Sequence, residues 1–150
     1  MAYGTHTDVA AMARLWTNNG AFDATTNPTS TQVTAWIAQI SSMLDIALNQ
    51  AGFDTPVTET SATPALTALV VSVVKDLCDN SNSAGRFFSQ AFIDSGQSPF
   101  TVIPKTLATW AKENADGLEK MGVVRSSNPL YAIRSTPIYR QVEDDAADYA

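Results

Sequence analysis

Residues 22–57 read FDATTNPTSTQVTAWIAQISSMLDIALNQAGFDTPV, and this run decides the fold. Apolar residues recur through its centre at the spacing of a helix face: Val33, Trp36, Ile37, Ile40, Leu44, Ala47, Leu48 and Ala51 fall on one stripe. Both ends are punctuated. Upstream, Asn27-Pro28 leads into Thr29-Ser30-Thr31-Gln32, where a threonine hydroxyl accepts from a first-turn amide and the glutamine three positions on reaches back. Downstream, Gly52 supplies the left-handed residue that closes a helix, and Phe53 and Pro56 follow. The spacing predicts one long amphipathic helix over residues 30–51. Its opposite face, Thr34, Gln39, Ser42, Asp45 and Asn49, is polar and nearly without charge. Few charges need desolvating there, so Gln39, Ser42, Asp45 and Asn49 are the expected subunit contact.

Working outward, Val9, Met12, Ala13 and Trp16 follow Thr7 at helical spacing and predict a short helix ending near Trp16. Residues 17–28 form a polar loop with the turn signal Asn19-Gly20, and Phe22 is expected to tuck that loop onto the core. On the other side, Thr63-Pro64 opens a third helix, with proline at the first position, where its missing N–H does no harm. Leu66, Leu69, Val70, Val73, Val74 and Leu77 form its stripe, the cleanest in the chain, and mark it as the expected central core helix. Four valines between positions 70 and 74 raise a strand alternative, against which the periodicity and the proline start favour helix. The polar run Asp79-Asn80-Ser81-Asn82-Ser83 then interrupts the pattern before Ala84, Phe87, Phe88, Ala91 and Phe92 resume it, so a break or kink is expected. Pro99 and Pro104 bracket a connector. A fourth helix over residues 104–121 places Leu107, Trp110, Ala111, Leu118 and Met121 inward and stops at Gly122.

From residue 123 onward the apolar residues keep neither a helical nor a two-residue period, and Pro129 and Pro137 interrupt them. The expectation is an all-α domain over residues 1–122, a small bundle of four or five helices, with an extended C-terminal interaction arm over residues 123–150. Arg125, Tyr131, Ile133, Arg134, Tyr139 and Arg140 are its candidate partner-binding residues. Residues 123–142 hold three arginines and no acid, whereas Glu143, Asp144, Asp145 and Asp148 crowd the last eight residues. Without that tip the net charge of −6 becomes −2, so the body is nearly neutral.

Composition removes several classes of function. At 150 residues and 45 % hydrophobic, the chain is long enough for one proper core. No apolar stretch is long enough to span a bilayer, and MAYGTHTDV has neither the basic region nor the apolar core of a secretory signal, so cytosolic synthesis is expected. One Cys and one His leave no zinc cluster and no intramolecular disulfide, and Cys78 in its apolar run reads as a core thiol. Phosphate-binding, zincin and hydrolase motifs are missing. The carboxylate pairs Asp76/Asp79 and Asp116/Glu119 read as solvated faces, and Trp16, Trp36 and Trp110 as core residues without the flanking cations of a nucleic-acid platform. No enzyme, cofactor or metal is expected.

The order of a short helix, a polar loop, then TNPTSTQVTAWIAQISSMLDIALNQAGFDTPVT and an apolar helix from Thr63-Pro64 resembles the head-tail connector (adaptor) proteins of tailed bacteriophages. In that family an Asn-Pro-Thr type entry precedes a long helix ending in Gly-Phe. The resemblance covers residues 7–92. It implies a structural virion protein at the head-tail junction, a homo-oligomeric, dodecameric ring beneath the portal protein. Such a ring continues the DNA channel without sequence-specific binding and offers a surface to a tail or neck completion protein. Family members commonly extend C-terminal arms onto the portal or onto neighbours, which residues 123–150 would match, while the acidic tip has no counterpart. The alternative is a small cytosolic helical binding module that grips one partner through residues 123–142.

Overall fold

A computed structural model describes residues 2–82 and 99–126. The described residues form an all-α bundle of five helices: α1 (His6–Met12), α2 (Ser30–Gln50), α3 (Thr63–Asn82), α4 (Pro99–Glu113) and α5 (Ala115–Lys120), with a 3-10 turn at Arg14–Trp16. Helix α2 is the hub. It packs against α1, α3 and α4, while α3 packs on α1, α2 and the 3-10 turn. The centre therefore lies one helix earlier than the apolar stripe of α3 suggests, and half of that stripe, Leu69, Val73 and Leu77, is only partly buried.

The ends of α2 form as their residues dictate. Thr29 Oγ accepts from the Gln32 amide at 3.3 Å while Gln32 Oε1 accepts from the Thr29 amide at 2.9 Å, a reciprocal capping box. Ahead of it the Asp23 carboxylate gathers the amides of Thr25 and Thr26, and those bonds, the Thr25 hydroxyl foremost, hold its carboxyl below the ordinary value. Phe22 is buried as expected, and Pro28 is buried beside the cap. At the far end Gly52 takes φ +92, its N–H bonds Asn49 O, and the Phe53 N–H bonds Leu48 O, which is a Schellman cap.

That cap is repeated at the end of α5. Gly122 takes φ +86, its N–H bonds Glu119 O, and the Val123 N–H bonds Leu118 O. In both motifs the apolar residue after the glycine, Phe53 or Val123, is buried against the core. The two exits then pair antiparallel through Phe53 and Arg125: the Asp54 N–H donates to Val124 O at 2.9 Å and the Ser126 N–H to Gly52 O at 2.8 Å. Body and arm accordingly do not divide at Gly122, because backbone pairing carries residues 123–126 into the bundle.

Two further boundaries differ from the sequence reading. The fourth helix starts at Pro99 rather than Pro104, and it yields to a separate α5 after Glu113. Pro104 lies inside α4 on its exposed side, where a missing N–H costs one ladder bond. Helix α3 runs through Asp79 to Asn82 without interruption. The break expected near Ser83, and the apolar residues 84–92 beyond it, lie outside the described residues.

The N-terminal segment is wedged between helices. Gly4, at φ +102, approaches α3 so closely that a Cβ there would stand 3.0 Å from Val71 Cγ2 and 3.3 Å from Thr67 Cγ2. Thr5 then caps α1 in a capping box with Asp8. Gly4→Ala is expected to destabilise the protein by about 1–2 kcal/mol, through the left-handed backbone and the squeezed Val71, as read by urea denaturation. A chain ending at Gly122 is expected to unfold at lower urea than one ending at Ser126, by about 1–3 kcal/mol, because it uncovers Phe53 and removes Val123.

Candidate interaction surface

Helix α2 spans 21 residues with one charged side chain, Asp45. The other three expected contact residues, Gln39, Ser42 and Asn49, are exposed, together with Ala35, Ala38 and an Ile46 that is 59 % exposed. Ser42 turns its hydroxyl back onto Ala38 O at 3.0 Å and Thr34 does the same onto Ser30 O at 2.8 Å. Their polar hydrogens are thus already satisfied within the helix. The result is a face of uncharged residues, alanines and hydroxyls among them, with an isoleucine on it.

Asp45 takes a role inside the chain instead. It is half-buried, and its Oδ1 accepts from the Tyr3 hydroxyl at 2.7 Å. That same hydroxyl accepts from the Val57 N–H at 2.9 Å, and the Tyr3 N–H donates to Ser41 Oγ at 3.0 Å. Tyr3 and Ser41 are each only 1 % exposed, so these bonds replace water for the polar groups that make them. Burial first, and the bond to Asp45 second, push the Tyr3 phenol well above its ordinary value of 10.0. The sequence offered one signal for it, a serine at position 41 on the inward stripe beside Ile37 and Leu44.

A second polar cluster joins the 3-10 turn to α3. Trp16 Nε1 donates to Asp79 Oδ1 at 2.6 Å, and Lys75 Nζ reaches Asp79 Oδ2 at 2.6 Å and Asp76 at 3.6 Å. Burial opposes the charge on Asp79, but the bonds from Lys75 and Trp16 and the lysine's charge outweigh it and hold the carboxyl below its ordinary value. Asp79 is thus a structural acceptor rather than half of a free carboxylate pair. Trp16, Trp36 and Trp110 sit at the margin of the core, each partly buried. Cys78 is fully buried, and burial pushes its thiol up to about 11, the state of an inert core residue. His6 is exposed on α1.

Of the candidate arm, Arg125 belongs to the body. Its guanidinium pairs with Glu119 and lies 5.4 Å from the centre of the Phe53 ring. Tyr131, Ile133, Arg134, Tyr139 and Arg140 lie outside the described residues. Among the described residues no three His, Cys, Asp or Glu side chains are grouped to hold a metal, and no helix is long and apolar enough to cross a membrane. No protein-family model, no curated protein and no solved structure matches this chain.

Tyr3→Phe removes the hydroxyl that accepts from the Val57 N–H and donates to Asp45, an expected loss of about 1–3 kcal/mol in urea denaturation at neutral pH. The phenol is raised in the folded chain, so its contribution is complete below the unfolded value of 10.0. It is lost as pH climbs above that value, because the unfolded chain releases the proton first. Titration of stability above that pH is expected to show a steeper decline for the wild type than for Tyr3→Phe.

Proposed function

We propose that this chain is a structural virion protein, a head-tail connector that assembles as a ring of identical subunits on the portal vertex of a tailed bacteriophage and continues the DNA channel toward the tail. The observation that carries this reading is the outward face of α2. Its exposed residues bear no charge, and a helix that faced only water would gain nothing from that pattern. A subunit interface does gain from it, since apolar and small side chains are buried there without desolvating an ion. The reading also rests on the resemblance carried by the Asn-Pro-Thr entry and Gly-Phe exit of α2, within which Thr29 caps its start and Gly52 and Phe53 its end.

In this reading the α2 faces of adjacent subunits meet neighbouring bundles around the ring. The nearly neutral body lets DNA pass with little attraction, since clustered cations are what hold phosphates. Ser42→Lys combined with Ile46→Lys places two charges on that face. The double variant is expected to keep its far-UV helicity while losing ring assembly on purified portal from the same virus, followed by sedimentation and electron microscopy. Failure of the wild-type chain to bind that portal overturns the proposal.

A further inference from the structure

The Asn19-Gly20 turn takes no part in the α2 surface, and it carries a chemistry of its own. Asn18 N–H donates to Ala21 O at 2.9 Å and Ala21 N–H to Asn18 O at 3.0 Å, so the chain reverses over the two residues between them. Both take positive φ, +50 at Asn19 and +82 at Gly20, as in the tight turns that Asn-Gly pairs favour. Residues 18–21 are all exposed.

The two closing bonds leave the centre of the turn unengaged. Among the described residues no hydrogen bond holds the Gly20 N–H or the Asn19 side-chain amide. A backbone nitrogen that follows asparagine can close a five-membered ring on the side-chain carbonyl carbon, and glycine has no Cβ to obstruct the approach. A Cβ built at Gly20 would meet nothing within 4 Å, so the surroundings do not obstruct it either. The left-handed conformation of Asn19 is one that L-residues hold reluctantly, and only one pair of exposed bonds retains it here.

The other described asparagines lack this combination. The Asn18 amide donates to Asp23 Oδ2 at 3.4 Å, and Asn27 precedes Pro28, which has no N–H to attack with. Asn49 lies inside α2, while Asn80 and Asn82 belong to α3 and precede serines. The Asn114 amide donates to Trp110 O at 2.9 Å, and the next residue begins α5.

We propose that Asn19 is a site of spontaneous deamidation, which converts a neutral turn into an acidic one. The Gly20 nitrogen bonds to Asn19 Cγ, the bond from Cγ to Nδ2 breaks, and the side-chain nitrogen leaves as ammonia with the proton from Gly20. Water then opens the ring at either carbonyl and leaves aspartate or isoaspartate. One water is consumed, one ammonia is released, and no oxidant or reductant takes part. Asn19 and Gly20 line a cleft of about 480 Å³ in which Arg14 is the only charged lining residue, so the new carboxylate gives that cleft one charge of each sign.

Ageing the folded full-length protein at mildly alkaline pH tests this. A species with one more negative charge is expected to accumulate on anion exchange, faster as hydroxide rises because the Gly20 nitrogen must shed its proton. Fragmentation mass spectrometry is expected to place the amide-to-acid change at position 19, with both isomers present. Asn19→Gln, an exposed substitution whose ring would need six members, is expected to abolish the species, and far-UV dichroism checks that the variant is folded. The proposal is overturned if another asparagine loses its amide first, if Asn19→Gln gains the charge at the wild-type rate, or if Asn19 reacts only in the urea-unfolded chain. None of these outcomes bears on portal binding, which tests the α2 reading separately.

Discussion

The hydroxyl of Tyr3 sets the constraint on which the bundle depends. A phenol taken out of water must both donate and accept, and here the donor goes to Asp45 on α2 and the acceptor serves the Val57 amide in the segment leading to α3. With the Tyr3 amide on Ser41, the cluster ties the N-terminus to two positions of α2 one turn apart and to the α2–α3 connection. These contacts span 38 to 54 residues of sequence. An apolar core alone tolerates sliding of helices past one another. A buried hydrogen-bonded cluster does not, since a shift that breaks one of its bonds costs about 1–3 kcal/mol.

The second constraint is at the C-terminal end of α2, about two turns beyond Asp45. Two Schellman caps release the chain in extended form at Gly52 and Gly122, and the two extended exits find each other. This pairing is how a chain whose described residues include no sheet still joins the end of α2 to the end of α5 by backbone bonds. Phe53 fills the space beneath the pairing, and the Arg125 guanidinium covers the ring while reaching Glu119. An arginine that looked like part of a free basic segment is therefore spent on closing the bundle.

Much of α2 was legible because its signals are local. The Thr29/Gln32 box, the apolar stripe and the Gly52 stop all act within one or two turns, and each formed where its residues stand. Long-range chemistry was not legible in the same way. Tyr3, Gly4 and the Trp16–Asp79–Lys75 cluster depend on which helices become neighbours, and no spacing rule encodes that. Asp45 illustrates the limit: by period it belongs to the polar face, yet a partner 42 residues away draws it inward. Pro104 misled for a related reason, since proline marks a helix start only when the preceding residues cannot be helical, and α4 accepts it on an exposed side.

The use of Asp45 by Tyr3 also bears on the surface that remains. Charge elsewhere in the described chain is plentiful on the helices that face water: Lys105, Lys112 and Glu113 on α4, Asp116, Glu119 and Lys120 on α5, and Lys75 and Asp76 on α3. Those charges keep the molecule hydrated. On α2 the single acid is withdrawn into an internal bond, and the exposed hydroxyls of Thr34 and Ser42 bond the helix's own carbonyls. What is left outward is a surface with little to lose on dehydration and, in Ile46, something to gain. That asymmetry between α2 and the other helices supports the interface proposed for this face, because the face differs from its neighbours in the quantity that association spends, the desolvation of charge.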